Sequence, residues 1–445
     1  MSLQERVDPH LLKGALTIVH RLHKNDHEAY FAGGAVRDLL LDEDITEIDI
    51  ATSASPDEVE GLFAQTIPVG KAFGVIVVMV ESSSYEVTTF RKDSQYEDGR
   101  HPGSVEFTDA QNDVLRRDFT VNALFLSPDD EQVIDFVKGQ EDLERKLIRT
   151  VGSPDHRFGE DKLRLLRALR LACQLGFEIE AETYRQIQQF APQLNQVSWE
   201  RIRDELLKIL TGSNPSRGLK LLLDSGVLQQ ILPEAVAMDG VEQPPEFHPE
   251  GDVFVHTCLM FKLAGKLTET LALGILMHDI GKPPTFTVKE RIRFDGHVEQ
   301  GARMAEDICR RLRISNDTTE QVVDLVKNHL RFIHVQEMRD STLKRFLRKE
   351  NFDEHLELHR LDCLASHGNL SHYDFCREKQ QDCTQEQMRP KPLVKGQDLI
   401  DLGLEPGPVF SEILGALEDL QLEGRLTSKE ESIEWVRGNY LTPDP

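Results

Sequence analysis

The run FAGGAVRDLLLDEDITEIDIAT, Phe31 to Thr52, decides how the N-terminal part of the chain is read. Gly33-Gly34 ends an apolar stretch, and Ala35 to Leu41 predicts a helix opening just after the glycines, whose bare backbone N–H groups can approach phosphates closely. Downstream, Glu47-Ile48-Asp49-Ile50 alternates acidic and apolar residues. On a strand this sends both carboxylates to one face and both isoleucines to the core. Two carboxylates side by side suit a hard cation such as Mg²⁺, which completes its oxygen shell with water and phosphate oxygens. Taken alone, alternating acids usually mark a solvated strand face and a Gly-Gly pair a turn. Asp42 and Asp44 read as a solvated charge run in the loop between them.

Outward from this stretch, FGVIVVMV (Phe73 to Val80), a Ser-rich turn and YEVTTF (Tyr85 to Phe90) predict a β-hairpin. The hairpin would bring Glu86 in as a third carboxylate. From about Arg157 onward strand signals fade, and Leu/Arg/Glu/Gln-rich segments of helical period predict an almost all-α remainder. Turn-rich breaks lie at Gly212-Ser213-Asn214-Pro215, Gln243-Pro244-Pro245-Glu246 and Arg389-Pro390-Lys391-Pro392. The expected class is α+β: a head at 1–150 with a small mixed or antiparallel sheet, a helical neck at 151–240, a further helical domain at 241–385 and a helical tail at 386–445.

At 445 residues the chain exceeds what one hydrophobic core serves, and 39% hydrophobic residues suffice to fill several. A formal net charge of −25 argues against coating nucleic acid by bulk electrostatics, while a local basic stripe can still hold phosphates. The six cysteines form no C-x-x-C pair, which fits reduced, packed thiols rather than a disulfide framework. No apolar run approaches the roughly 20 residues that cross a bilayer. Met1 to Pro9 lacks the apolar region of a secretory signal, so a cytoplasmic location is expected.

GGAVRDLLL followed by an acid-x-Asp strand resembles the nucleotidyltransferase superfamily, specifically the bacterial CCA-adding enzyme and poly(A) polymerase family. Arg116-Arg117-Asp118-Phe119-Thr120-Val121-Asn122-Ala123 is similar to the family's ribose-selecting motif. Asp135 with Gly139 and Asp142 resembles its hinge motif, and Glu160-Asp161-Lys162-Leu163-Arg164 its base-reading motif. Arg201 and Glu205 in SWERIRDELLKIL match the motif that buttresses the neck helices. The resemblance implies template-free addition of C, C and A to the 3′ end of tRNA from CTP and ATP, with Mg²⁺ held by Glu47 and Asp49 and with Glu86 beside them. It also implies nucleotide contacts from Gly33, Gly34, Arg37, Arg117, Asp118, Asn122, Asp161, Arg164, Arg167 and Arg170. One residue departs from the pattern: Glu47 stands where the family carries aspartate, and its extra methylene displaces the carboxylate. Asp161 and Arg164 are expected on one helix face by their i, i+3 spacing, as an acceptor and a donor facing a base edge.

A second constellation lies in the helical half. His256 sits in a helical segment, His278-Asp279 closes the apolar helix LALGILMHDIG, and Asp362 lies in LHRLDCLAS. Imidazole plus carboxylate suits a divalent metal with open positions. His297 and His329 could add a second. His-Asp followed by Ile-Gly-Lys-Pro resembles the HD phosphohydrolase superfamily, and such a module after the neck is a known arrangement in the CCA-adding family. The segment Leu393 to Gly424 resembles that family's C-terminal helices. The basic run Leu343 to Lys349 is either a phosphate-contacting face or, preferably, an ordinary solvated helix side. Among relatives, PVGKAFGVIVVMV resembles the CCA-adding branch more than the poly(A) polymerases. The polar run Arg91 to Phe107 resembles the loop needed for the terminal A, much of which enzymes adding only CC lack. The alternatives are a poly(A) polymerase, a partial CC- or A-adding enzyme, an HD phosphohydrolase, or a tRNA-binding module. The oligomeric state is not specified.

Overall fold

In the computed structural model, which describes residues 3–93, 105–246 and 248–441, the strand-forming residues of the head assemble around Phe31 and Ile50. The strands are β1 (Ala29–Ala32), β2 (Asp49–Thr52), β3 (Thr66–Gly70), β4 (Val75–Val80), β5 (Ser83–Thr89), β6 (Arg91–Asp93), β7 (Val105–Phe107), β8 (Phe125–Leu126) and β9 (Val133–Ile134). Seven of them form one mixed sheet in the order β3-β4-β5-β2-β1-β8-β9. β2 and β5 run parallel, and the other neighbours antiparallel. The predicted hairpin is β4–β5, turning at Glu81-Ser82, with Val78 opposite Tyr85. β6 and β7 pair separately, Arg91 opposite Phe107. The centre of the expected Arg91 to Phe107 loop, 94–104, lies outside the described residues.

Alternation at 47–50 holds, but the strand starts later than expected. Ile48 and Ile50 are buried and Glu47 and Asp49 exposed, while β2 begins only at Asp49, so Glu47 precedes the sheet. Behind the sheet, the helix Pro9–His23 buries Ala15, Ile18, Val19 and Leu22, and the Tyr85 hydroxyl donates to the Leu11 carbonyl at 2.9 Å. Phe90, Phe125 and Ala51 form a further core, on which Tyr30 stacks. Asp42 and Asp44 are exposed, as a solvated charge run should be, and Arg6 pairs with both, at 2.5 and 3.6 Å.

The helices that follow include Pro154–Glu160, Leu163–Leu175 and Trp199–Leu210. Leu165, Leu166 and Leu169 of the second and Ile202, Leu206 and Ile209 of the third are buried at helical spacing. Asp161 lies in the break between the first two helices, with an extended backbone (φ −147°, ψ 110°), and its Oδ1 accepts from the Leu163 N–H at 3.0 Å. The expectation of one continuous helix face through Asp161 and Arg164 is therefore corrected. The aspartate leaves the first helix and caps the second, the usual competition between a short acidic side chain and helical backbone.

Contacts divide the chain into two units, one running to Val236 and including Arg311–Arg313, the other comprising the rest from Ala237. In the second, the helix Glu269–Met277 is buried on all sides, as an apolar core helix must be. Around it run Val253–Leu263, Asn316–Asn328 and Phe352–Ala365. The helix Asp340–Leu347, which carries most of the basic run, is only partly solvated. Arg345 and the following Arg348 both reach Glu418 at 2.6 Å, and Lys344 donates to the Leu422 carbonyl at 2.6 Å, which docks the run on the tail helix Pro408–Leu422. All six thiols are free, five of them buried. Among the described residues no helix is long and apolar enough to cross a membrane.

Candidate active site and candidate metal centre

A cavity of about 430 Å³ opens over the head sheet. Its floor is set by register: Ile50 pairs with Val87 in the parallel β2–β5 ladder, so the preceding Asp49 and Glu86 emerge together on the opposite face. Both line the cavity. Glu47 does not, yet it stands close enough for its charge to act on Asp49. Burial first, then Glu86 and Glu47, push the Asp49 carboxyl up to about 6, with Arg117 opposing. Asp49 and Glu86 on one floor, with Glu47 nearby, are oxygen donors of the kind a hard divalent cation takes.

Gly33 closes the same wall with φ +70°, a conformation that favours glycine, and a side chain there would point toward Arg117 and Asp49. The helix Gly34–Leu40 opens directly after it, as the glycine pair predicts. Arg37 on that helix is off the lining, bonded to Asn122 Oδ1 at 2.6 Å and to Asp38.

The opposite wall is cationic. Arg116, Arg117, Arg164, Arg167 and Arg201 all line it, each anchored by a carboxylate. Buried Asp113 holds Arg116 at 2.6 Å and Arg117 at 3.1 Å. Arg167 meets Asp118 at 2.5 Å. Burial would raise the Asp118 carboxyl, but Arg167 and Arg164 hold it below its ordinary range. Arg201 forks onto both oxygens of Asp161, at 2.6 and 3.2 Å, and Arg164 pairs with Glu160. Asp118, Asn122 and Asp161 complete the wall. Arg170 lies off the lining, tied to Glu205 at 2.6 Å. Asp113 carries no signal in the sequence, because nothing in a short helix N-terminal to an Arg-Arg pair distinguishes a clamp from a solvated acid.

In the second unit the expected His256, His278, Asp279 and Asp362 do come together, with His297 and His329 alongside. Nε2 of His256 lies 3.2 Å from Asp362, and Nε2 of His278 lies 3.1 Å from Asp279. Across Asp279, Oδ1 faces Nε2 of His297 and His329 at 3.9 and 3.8 Å. Among the described residues the Nε2 atoms of all four histidines are buried without a hydrogen-bond partner. Nδ1 of His278, His297 and His329 sits 2.9, 2.8 and 2.7 Å from the carbonyls of Ile275, Phe294 and Val326. A carbonyl only accepts, so Nδ1 carries the proton and each Nε2 offers its lone pair to the common space. Converging lone pairs and carboxylates fit divalent metal in two sets, His256-His278-Asp362 and Asp279-His297-His329.

Burial opposes charge on His256, but Asp362 and Glu250 push its pKa up to about 9. Burial lowers His329 to about 4. Lys282, within the Ile-Gly-Lys-Pro run, is buried against Asp279 at 2.7 Å and Gln243 at 2.6 Å. A Cβ on Gly281 would fall 2.1 Å from the His297 carbonyl oxygen and 2.6 Å from the Gly301 nitrogen. His248 and Glu250, which sequence reasoning missed, flank His256 from an irregular stretch with no periodicity to mark them. A cavity of about 640 Å³, lined in part by Phe294, Ile333, His359 and His372, adjoins the centre.

The chain matches the family model for the poly A polymerase head domain over residues 29–149. A model described as the probable RNA and SrmB-binding site of polymerase A matches 176–238, and the HD domain model matches 253–360. The chain is 47% identical over 218 residues to a CCA-adding enzyme of Bacillus pumilus, an alignment covering 49% of this chain and 54% of that one. In such matches it spans about half the length of the relative. It is 31% identical to a CCA-adding enzyme of Bacillus cereus over 96% of this chain and 98% of the relative. The crystal structure of the Bacillus stearothermophilus CCA-adding enzyme in complex with CTP superposes with a TM-score of 0.74 at 28% identity, covering 97% of this chain and 98% of that one. The Thermotoga maritima CCA-adding enzyme complexed with tRNA shares the fold, with a TM-score of 0.61 at 21% identity over 98% of this chain and 97% of that one.

Proposed function

Because the chain belongs to the CCA-adding enzyme family, we propose that its first unit transfers nucleotides from CTP and ATP to the 3′ end of tRNA, without a nucleic-acid template and in the cytosol. The carboxylate pair Asp49 and Glu86 facing a wall of arginines carries this reading. Mg²⁺ would be held by Asp49 and Glu47, with Glu86 beside them, and when bound it supplies charge stabilisation to the attacking and leaving oxygens of an in-line displacement. Arg116 and Arg117 face the triphosphate. Asp118, kept ionised by Arg167, accepts from the ribose hydroxyl, and Asn122 aligns the sugar.

Asp161 and Arg164 choose the base. An ionised carboxylate only accepts and a guanidinium only donates, so the pair suits an amino donor beside a ring-nitrogen acceptor, the edge that cytosine and adenine share. Uracil and guanine set like groups against both residues. Each mismatch costs on the order of 1–3 kcal/mol, more when charged, which suffices for roughly thousandfold discrimination over two contacts. Arg201 orients the Asp161 carboxylate for this task. Asp161→Ala and Arg164→Ala should each slow CTP and ATP use and admit UTP and GTP. Wild-type selectivity across the four triphosphates in single-turnover extension would remove the base-reading role.

Glu47 precedes the strand and stands off the cavity lining, so its coordination depends on the reach of its longer side chain. Glu47→Asp should retain measurable extension and Glu47→Ala should lose it. An alanine variant extending tRNA at the wild-type rate would exclude Glu47 as a ligand. The decisive assay for the whole reading incubates the protein with tRNA lacking its 3′ CCA, Mg²⁺ and each triphosphate. Elongation by C, C and A separates this function from a poly(A) polymerase, a partial enzyme and a passive binder.

The second unit carries a separate proposal: an HD phosphohydrolase centre, supported by the four partnerless Nε2 atoms around Asp279 and Asp362. The chain divides into a catalytic head at 1–150, a helical neck at 151–240, the HD domain at 241–385 and a helical tail at 386–445.

A further inference from the structure

The four imidazoles of the second unit are not held alike. His278, His297 and His329 each have a backbone carbonyl at Nδ1. Nδ1 of His256 instead faces Oε1 of Glu250, at 2.6 Å. The same oxygen lies 2.9 Å from Nδ1 of His248. Glu250 has a side chain only 7% exposed, and its Oε2 is buried with no hydrogen-bond partner among the described residues. A carboxylate is thus committed inside the protein to these two rings.

The consequence for His256 follows from the donor inventory. A carboxylate only accepts, so Nδ1 of His256 donates and Nε2 is left for the space it shares with Asp362. A charged acceptor draws the Nδ1 proton more strongly than an amide carbonyl does, which raises electron density at Nε2 and strengthens the ring as a ligand. It also fixes the ring's orientation at no cost when an ion arrives. Glu250 is not itself a ligand in this arrangement, because the Nδ1 face of His256 is taken up by the hydrogen bond and the Nε2 face is the one turned to Asp362.

We propose that Glu250 is a positioning residue for His256, and that it makes the two metal positions unequal: the set His256, His278 and Asp362 binds its ion before and more tightly than the set Asp279, His297 and His329. The proposal rests on the metal-centre reading of this unit. It concerns affinity and order of filling.

The full chain, stripped of metal, is titrated with Co²⁺ in the presence of excess Mg²⁺, which occupies the oxygen-only head site and competes poorly for imidazole. Visible absorption of nitrogen-ligated Co²⁺ and calorimetry follow uptake. The wild type should take up two ions in resolved steps. Glu250→Gln should weaken the first step by about 10–100-fold and leave the second at its own affinity, so that the steps merge. Glu250→Asp, which keeps the charge on a shorter arm, should fall between the two and serves where the glutamine variant fails to fold. A first step equally tight in Glu250→Gln, or loss confined to the second step, overturns the proposal while the metal centre stands. No Co²⁺ uptake by the wild type overturns the metal-centre reading itself, and the proposal with it.

Discussion

Asp49→Ala should lower 3′-end extension of tRNA by at least roughly 1,000-fold, equivalent to about 4 kcal/mol on the barrier. Asp49 opens the strand β2 and shares the cavity floor with Glu86. Its pKa is pushed up to about 6 by burial first and then by Glu86 and Glu47, with Arg117 opposing. On the proposed function, removing Asp49 takes away both a metal ligand and a group that aligns the attacking and leaving oxygens, so losses in charge stabilisation and in positioning combine. The fold should survive, because the side chain opens onto the cavity and its neighbours Ile48 and Ile50 carry the packing. The measurement is single-turnover extension with CTP beside a thermal melt and a CTP-binding titration. An alanine variant that melts and extends as the wild type does would sink the assignment of the head cavity as the active site.

The second large effect belongs to the other unit. Asp279→Asn should reduce metal-dependent hydrolysis of phosphomonoesters and phosphodiesters to background while tRNA extension persists. The carboxylate is the common element of the centre. Oδ2 meets Lys282 and His278, and Oδ1 faces His297 and His329. The His278 ring, Lys282 and the His329 ring around it hold it well below the usual carboxylate range against full burial. Asparagine keeps the shape and removes the charge, leaving Lys282 buried beside a neutral amide, a change that costs on the order of 3–5 kcal/mol where a buried pair is broken. A lower melting temperature should therefore accompany the lost hydrolysis. Persistent hydrolysis in a folded Asp279→Asn protein would refute the role, and loss of extension together with hydrolysis would tie the site to nucleotide addition instead.

The parts of both sites legible in the sequence are those that obey a short period. Glu47 to Ile50 alternates, and a period of two places carboxylates on one face without reference to any other part of the chain. His278-Asp279 is marked by its position at the end of an apolar helix. Arginine partners are a different matter. Arg201 reaches Asp161 across 40 residues and Arg167 reaches Asp118 across 49, separations that only the folded chain closes. At Asp161 two signals compete: helical spacing runs on through Glu160-Asp161, yet an aspartate two residues before an apolar run is itself a start signal, and the start signal wins. The basic run Leu343 to Lys349 was legible as charge, and its cover, Glu418 on the tail helix, was not.

Gly281 sits against the His297 carbonyl and Gly301 with no room for a single methyl group. That contact works as a spacing gauge between two segments that face one another across the cluster: Asp279 lies two residues before the gauge, and His297 begins the helix that abuts it. Any side chain at 281 would widen the gap between the segments and carry His297 away from Asp279 before it altered a single donor atom. Sequence drift at this glycine would therefore disperse the donor cluster while every one of its His and Asp residues remained in the sequence, so a comparison that counts only those residues would score such a descendant as intact.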